Sequence, residues 1–347
     1  MLTPERSQSG LNGCPFSAHS CRHVAAAISV LLLGLLPALA QAQFTPAQVS
    51  QLQSLIGSRI EALTILGGDY GLAGGSFRST GRLQVVGNAG STSRVTKLGG
   101  AGDVGAPQPL GELGVGWQPR VQGNMGYIES TSHFHSTMFE GDINKFKTFG
   151  IEFGGGARFW VSDALSLAPT LMGLYGHTSD TYMANSAFMK ANLPLATQLG
   201  LVDYSVDSWT IRPALNIQYL LTWDRTIFTL SSDSTYYHTE SFSSSNSNVR
   251  ISGNSGSEAA KFDVDVPLGI QLYSHELRAG GFLSYTALFG GLATGLSTQH
   301  LNEIHGRLVL DFLNQLWKVQ WMGVGASYIW GQNISGWTVG ADVTFRF

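Results

Sequence analysis

The stretch that decides the fold is SGWTVGADVTFRF, residues 335–347. Its odd-numbered positions from Trp337 to Phe347 are all apolar, whereas its even-numbered positions from Thr338 to Arg346 are polar, charged or glycine. A strict period of two is typical of a β-strand with two unlike faces. The stretch therefore predicts a strand with one wholly apolar face and one polar face.

The same period of two continues through the sequence from residue 68 onward. Its clearest instance is WTIRPALNIQYLLTW, residues 209–223, in which the odd positions are apolar and most even positions are polar. Segments of this kind predict twelve strands, which is a large number for one domain. The predicted strands are 69–79, 81–95, 110–130, 145–161, 164–180, 208–223, 225–239, 260–274, 277–290, 303–312, 317–331 and 336–347.

The connections between these strands alternate in length, as expected when every second turn faces the same side of a membrane. The short turns are predicted at Ser162-Asp163, Asp224, His275 and Asn314-Gln315. The long connections are predicted at 131–144, 181–207, 240–259 and 291–302. The glycine-rich stretch 96–109 is also predicted as a long connection, where the alternation favours a short one. The Ser/Asn/Gly-rich stretch 240–259 is predicted to be mobile.

A secreted β-sandwich also has alternating strands, so other features must distinguish it from a membrane barrel. The predicted strands reach fifteen residues, which is long for a soluble sheet. Trp209 and Trp223 share one face, about 33 Å apart vertically in a strand tilted by 45°, close to the spacing of the two bilayer interfaces. We therefore expect residues 68–347 to form an all-β, transmembrane antiparallel β-barrel of about twelve strands in the bacterial outer membrane.

Ionic side chains in the middle of the predicted strands fall on the polar face, which lines the lumen of a barrel. They are Arg120, Glu152, Arg158, Arg212, Lys261, Asp263, Asp265, Arg278, Arg307, Asp311, Asp342 and Arg346. Two interpretations remain open. Paired charges form a salt-bridge network that fills the lumen, whereas unpaired ones give an open pore a slight preference for anions, because the cations are in excess.

The N-terminal region predicts a secretory signal peptide over residues 1–42. Its apolar run VAAAISVLLLGLLPALA, residues 24–40, precedes the small-residue pattern Ala40-Gln41-Ala42. The start codon that the cell uses remains open, because the stretch before the apolar run is long. Both cysteines lie within this segment, so the exported chain is expected to contain no thiol.

A single α-helix is predicted over residues 43–67. Thr45, Pro46 and Gln48 form a helix start signal, and apolar residues then recur at helical spacing. We expect the helix to lie either inside the barrel lumen or at its periplasmic mouth. Inside the lumen it needs a dry partner for its apolar stripe, for example a patch made of Trp160, Met172, Leu174 and Phe282.

No residue pattern predicts a catalytic centre, a cofactor site or a metal site. His177-Thr178-Ser179 and the loop acids Asp203, Asp207 and Glu240 are interpreted as ordinary interfacial residues, and His133 and His135 as surface histidines rather than zinc ligands. The chain carries 20 basic and 23 acidic residues and has no basic stripe, so no nucleic-acid partner is expected.

The segment Thr338, Gly340, Val343, Phe345 and Phe347 resembles the carboxy-terminal signal by which outer-membrane barrels are handed to their assembly machinery. Together with the helix and the twelve predicted strands, it resembles the translocator barrel of bacterial autotransporters, in a solitary form without a passenger. The resemblance implies a non-enzymatic barrel, a helix associated with the lumen, and contacts with the bilayer, the assembly machinery and periplasmic chaperones. The alternatives are a small-solute diffusion channel, and a surface enzyme or adhesin built on the long loops.

Overall fold

The computed structural model describes most of the predicted barrel and part of the predicted N-terminal helix. The predicted signal peptide, Arg346 and Phe347 lie outside the described residues. The described residues are 53–54, 56–58, 60–62, 72–80, 89–110, 116–135, 139–316 and 319–345. Residues 53–54, 56–58 and 60–62 are helical and are called here the N-terminal helical residues.

Antiparallel strands make up most of the described chain after these helical residues. The strands are β1 Leu72–Thr80, β2 Ala89–Asp103, β3 Gln108–Pro109, β4 Gly116–Phe134, β5 Ile143–Trp160, β6 Leu165–Met183, β7 Ser205–Trp223, β8 Thr226–Ser244, β9 Ser252–Leu272, β10 His275–Gly290, β11 His300–Leu316, β12 Val319–Gly331 and β13 Ile334–Phe345. The helices that follow them in the connections are α1 Ala187–Gln198 and α2 Gly291–Leu296.

The long strands pair into a closed ring. Strand β1 pairs with β2 on one side and with β13 on the other, with Leu72 opposite Ala341. Strand β2 pairs with β4, each later strand pairs with the next one, and the two-residue β3 only extends the edge of β4. Twelve long strands therefore close the barrel within the described residues, which confirms the predicted fold class. Closure gives each long strand two neighbours, which pairs backbone groups that would otherwise lie unpaired in the bilayer.

Each strand points one set of side chains outward and the alternate set into the lumen. On β7, Ile211, Leu215 and Leu221 are exposed, whereas Thr210 and Arg212 are buried. On β13, the apolar face of the opening stretch is outward, since Trp337 and Val339 are about half exposed. In an outer-membrane barrel, this apolar outer surface is the surface that contacts hydrocarbon. Among the described residues, no helix is long and apolar enough to cross a bilayer.

The two ends of the barrel differ, as the alternating connections predict. At one end, called here the turn end, the connections are as short as Asp224-Arg225 and Tyr273-Ser274. Tyr273 and Ser274 both have positive φ values, which suits the tight primed turns that match strand twist. At the other end, called the loop end, lie α1, α2 and the longer connections. The turn predicted at His275 thus lies two residues earlier, and β11 continues through the turn predicted at Asn314-Gln315.

The structure corrects the prediction of a mobile loop over 240–259. Strand β8 continues to Ser244 and β9 begins at Ser252, so only residues 245–251 connect them. Glu240 is still paired with Ser252. Beyond the outer apolar surface, β8 and β9 are mostly polar on both their outward and their inward faces. The period of two therefore disappears from the sequence, although the backbone pairing of the strands continues.

The stretch 96–109 was also predicted wrongly as a connection. Strand β2 extends to Asp103, which pairs with Arg120 of β4. Glycines at 99, 100 and 102 supply no side chains to alternate, yet their backbone groups pair normally with β4. At the loop end, the predicted connections 181–207 and 291–302 contain α1 and α2, which the strand period gives no means of finding.

Helix α1 is held at the loop end by one buried carboxylate. The side chain of Asp142 accepts hydrogen bonds from the backbone N–H groups of Asn185 and Ser186, both at 2.6 Å, and from the Tyr182 hydroxyl at 2.9 Å. The Ser186 hydroxyl in turn caps α1 by accepting the N–H of Met189 at 3.1 Å. The connection between β6 and β7 is therefore a packed element and not a free loop.

Candidate functional site in the barrel lumen

The ionic residues predicted to line the lumen lie on the inward faces of their strands wherever their side chains are described. The inward set is Arg120, Glu152, Arg158, Arg212, Lys261, Asp263, Asp265, Arg278, Arg307 and Asp311. The backbone of Asp342 pairs with Gly323, and its side chain lies outside the described part, as does Arg346. Charges removed from bulk water in this way must be paired to be tolerated.

One network joins β4, β5 and β7 in the middle of the barrel. The Nε atom of Arg212 lies 2.5 Å from Oε1 of Glu152, and its Nη2 donates a hydrogen bond to Oε2 at 3.1 Å. The side-chain amide of Asn124 donates to the same Oε2 at 2.7 Å. Only 1% of the Glu152 side chain is exposed, so this ion pair crosses a closely packed part of the lumen.

A second network lies nearer the turn end and involves Asp103, which the sequence did not single out. Its carboxylate lies 2.9 Å from Nη1 of Arg120 and 3.0 Å from Nε of Arg158. Arg158 also donates to Gln218 at 2.8 Å, and its guanidinium lies over the ring of Trp160. Asp103 was missed because β2 was predicted to end at residue 95.

A third network joins β9, β10 and β11. Arg307 binds both carboxylate oxygens of Asp263, at 2.8 and 2.7 Å, in the bidentate geometry that suits guanidinium. Asp265 forms an ion pair with Arg278, which also lies 3.8 Å from Glu276. The described lumen thus contains ion pairs that join adjacent strands or strands separated by one other strand, as the salt-bridge interpretation expects.

The N-terminal helical residues contact the inward side chains at the loop end. Ile56 and Ile60 belong to one buried apolar cluster, and Ile60 is fully buried. The barrel contributes to this cluster from four strands and two connections. Its members there are Val95, Ile128, Phe146, Val206, Val249 and Ile251, together with Tyr204 and Leu201 in the connection just before β7.

Ala62 continues this packing toward α2. It is fully buried in a cluster with Tyr237, Leu292 and Leu296. A Cβ atom at Gly295 would lie 2.2 Å from the carbonyl oxygen of Ser58 and 2.7 Å from Cβ of Ala62. The helix can approach α2 this closely only because position 295 has no side chain.

Glu61 is a carboxylate buried at this contact. Its Oε1 accepts a hydrogen bond from the Ser255 hydroxyl at 2.7 Å, and only 2% of the residue is exposed. Burial raises the pKa of Glu61, while the Ser255 hydrogen bond and nearby His238 act in the opposite direction. Glu61 also borders a cavity of about 150 Å³ that Arg250 and Gly291 help to line.

The described residues of the helix pack against a different apolar surface from the patch predicted as its partner. The described contacts of the helix lie at the loop end, including a hydrogen bond from Gln53 Nε2 to the Leu199 carbonyl at 3.2 Å. Of the predicted patch, Trp160 stacks with Arg158, and Phe282 lies under Lys261, 4.2 Å from its Nζ. The faces of these two aromatic rings are therefore covered by cationic side chains. The inward apolar residues at the loop end could not be located from the sequence pattern, since they interrupt otherwise polar faces.

Of the residues considered for catalysis, His177 and Asp207 lie together, whereas Asp203 and Glu240 have other partners. Nδ1 of His177 lies 2.8 Å from Asp207, which also accepts the Tyr175 hydroxyl at 2.7 Å, on the outer surface of β6 and β7. Asp203 instead accepts the N–H of Tyr182, and Glu240 lies 3.4 Å from His238. In the described part of the chain, no group of three or more His, Cys, Asp or Glu residues is arranged to hold a metal ion.

A family comparison decides what kind of barrel this is. A family model described as "Solitary outer membrane autotransporter beta-barrel domain" matches residues 109–340. The chain belongs to this family. Its location is accordingly the bacterial outer membrane, where a lipid bilayer surrounds the apolar outer surface. The predicted resemblance to autotransporter barrels is thereby confirmed, and the comparisons favour neither the diffusion channel nor the surface enzyme or adhesin.

The chain is similar to solved structures of autotransporter barrels, and the one with a TM-score above 0.5 shares its fold. The transport unit of the autotransporter AIDA-I from Escherichia coli is 11% identical with a TM-score of 0.52, covering 87% of this chain and 100% of that chain. The beta domain of the Bordetella autotransporter Brka is 14% identical with a TM-score of 0.49, covering 79% and 97%. The translocator domain of autotransporter NalP from Neisseria meningitidis is 14% identical with a TM-score of 0.47, covering 86% and 96%. No curated protein sequence matches the chain.

Proposed function

We propose that this protein is a non-enzymatic autotransporter-type barrel whose lumen is closed by its own N-terminal helix. The observation that carries the proposal is the complete burial of Ile60 among inward side chains of β2, β4, β5 and β7. An apolar side chain in that position excludes water from the loop end of the lumen, because burying it is favourable only against other apolar surface. The helix thus closes the lumen at the loop end.

The ion-pair networks form a second barrier below the helix. The pairs Glu152–Arg212 and Asp263–Arg307 each join strands that are separated by one intervening strand, and they place charged side chains in the middle of the lumen. Opening a path for solutes requires movement of the helix and also leaves these fixed charges in the path. The closed state is consequently expected to conduct poorly for both anions and cations.

The surroundings of the barrel follow from its place in the envelope. We propose that the barrel-assembly machinery and periplasmic chaperones recognise the last strand through Thr338, Gly340, Val343, Phe345 and Phe347. Thr338 and Gly340 lie in β13, which also pairs with β1 to close the ring. Recognition of β13 would thereby guide the pairing step that closes the barrel.

Conductance in planar bilayers tests the closed lumen. We expect single channels of the intact protein to be nearly silent, and channels carrying Ile60→Asp to conduct, because a carboxylate cannot remain in the apolar cluster. Ser54→Asp is the matched control, since Ser54 is exposed on the same helix. Wild-type channels that already pass ions as freely as the Ile60→Asp variant would overturn the proposal.

A further inference from the structure

The outer surface of β2, β4 and β5 carries a cluster of cations at the loop end. In the strand register, Arg94 of β2 lies opposite Glu129 of β4, and Glu129 lies opposite Lys147 of β5. Lys145 lies on the same face of β5, two residues closer to the loop end. Their neighbours Val95, Ile128, Phe146 and Thr148 are buried in the lumen, so these four ionic side chains point outward.

These cations lie directly above the apolar outer surface. Tyr127 and Phe149, each two residues nearer the turn end than Glu129 and Lys147, are outward and about 40% exposed. Farther toward the turn end, Met125 on β4 and Ile151 and Phe153 on β5 are also exposed. Two residues of a tilted strand correspond to a height of roughly 5 Å, which places the cations at the level of lipid headgroups above an aromatic belt.

Within the part of the chain that the structure describes, these cations differ from those in the lumen in having no ion-pair partner. Among the described residues, Arg94, Lys145 and Lys147 form no ion pair, and Glu129 between them forms none either. Elsewhere on the outer surface at the loop end, β7, β8 and β9 carry the acids Asp207, Glu240 and Glu258 instead. The positive charge is therefore confined to one side of the barrel, with a net charge of two positives after Glu129 is counted.

We propose that Arg94, Lys145 and Lys147 form a binding site for the phosphate groups of an anionic glycolipid in the leaflet at the loop end. The height of the site selects a lipid headgroup over a soluble ligand, since the acyl chains of the same molecule would cover Phe149 and Ile151. The charge selects a phosphorylated headgroup over a neutral sugar. Glu129 opposes this binding, since a carboxylate beside two cations repels phosphate.

Native mass spectrometry of the folded barrel with bound lipid tests this site. Diphosphorylated lipid A is the probe, and lipid A with both phosphates removed is its control. Each cation near a membrane surface contributes about 1 kcal/mol, or roughly a fivefold change in affinity. We therefore expect Lys145→Gln combined with Lys147→Gln to weaken binding of the phosphorylated lipid about 25-fold, and Glu129→Gln to strengthen it about fivefold.

Lys190→Gln provides the matched charge control. Lys190 is exposed on α1 at the loop end, in the connection beyond the end of β6, and its replacement should leave lipid affinity unchanged. All variants alter side chains that are at least partly exposed, and a shift in gel mobility on boiling verifies that each is folded. Equal binding of phosphorylated and dephosphorylated lipid, or an equal loss in Lys190→Gln and the double variant, would overturn the proposal.

Discussion

Removal of Arg212 should destabilise the barrel far more than removal of Arg212 and Glu152 together. In Arg212→Met, the carboxylate of Glu152 loses a partner at 2.5 Å while only 1% of its side chain is exposed. Leaving one member of a buried ion pair uncompensated costs about 3–5 kcal/mol. The hydrogen bond from Asn124 remains, which places the expected loss near the lower value.

The double variant Glu152→Leu with Arg212→Met removes both charges and keeps apolar volume in the lumen. Replacing a buried pair in this way is often neutral or stabilising. We therefore expect its free energy of unfolding to be equal to or above that of the wild type. The residual amide of Asn124 is the main cost, because it then lacks its acceptor.

Urea unfolding in lipid vesicles, followed by tryptophan fluorescence, measures both effects. The slope of the free energy of unfolding against urea concentration must be the same for all variants, so that differences in midpoint report differences in stability. Ser54→Ala, an exposed change on the helix, controls for handling of the protein. A loss below about 1 kcal/mol in Arg212→Met would refute the inference that the lumen is dry enough for this pair to matter.

Two further predictions concern the contact between the helix and the loop end, and a third concerns catalysis. Gly295→Val should raise single-channel conductance because its side chain would overlap Ser58, whereas Gly306→Val should not, since open space surrounds a Cβ at Gly306. Because burial raises the pKa of Glu61, helix docking should be strongest near pH 4.5 or below and weaken as the pH rises through the raised value. Conductance should therefore increase with pH in the wild type and be independent of pH in Glu61→Gln. A pH dependence in Glu61→Gln equal to that of the wild type would contradict this. Purified wild type and His177→Ala should be equally inactive in phospholipid and peptide hydrolysis assays; hydrolysis that requires His177 would contradict the non-enzymatic assignment.

The membrane-spanning part of the fold could be predicted because hydrocarbon imposes a strict rule on it. Each outward side chain must be apolar, which makes the alternation in 209–223 and 335–347 visible in the sequence itself. The same rule correctly placed Arg212 and Asp263 on the inward face. Pairing between particular charges could not be predicted, because it depends on strand register across the ring.

The loop end could be predicted much less well, since no solvent there imposes a period. Strands β8 and β9 extend beyond the apolar surface as polar sequence, which resembles a loop by composition. The inward apolar residues that receive the helix, such as Ile128 and Phe146, interrupt polar faces and belong to separate strands. Barrel closure brings these residues together, so no local sequence pattern predicts that they lie close to one another.

Cysteine accessibility tests most directly whether the helix lies among the inward side chains. Ile60→Cys and Ser54→Cys place one thiol each on the two faces of the helix, and the predicted removal of residues 1–42 would take both natural cysteines away. With the barrel folded in vesicles, a charged maleimide should label Ser54→Cys rapidly and leave Ile60→Cys unlabelled, while unfolding in urea should make both react. Equal and rapid labelling of both thiols in the folded protein would contradict the account.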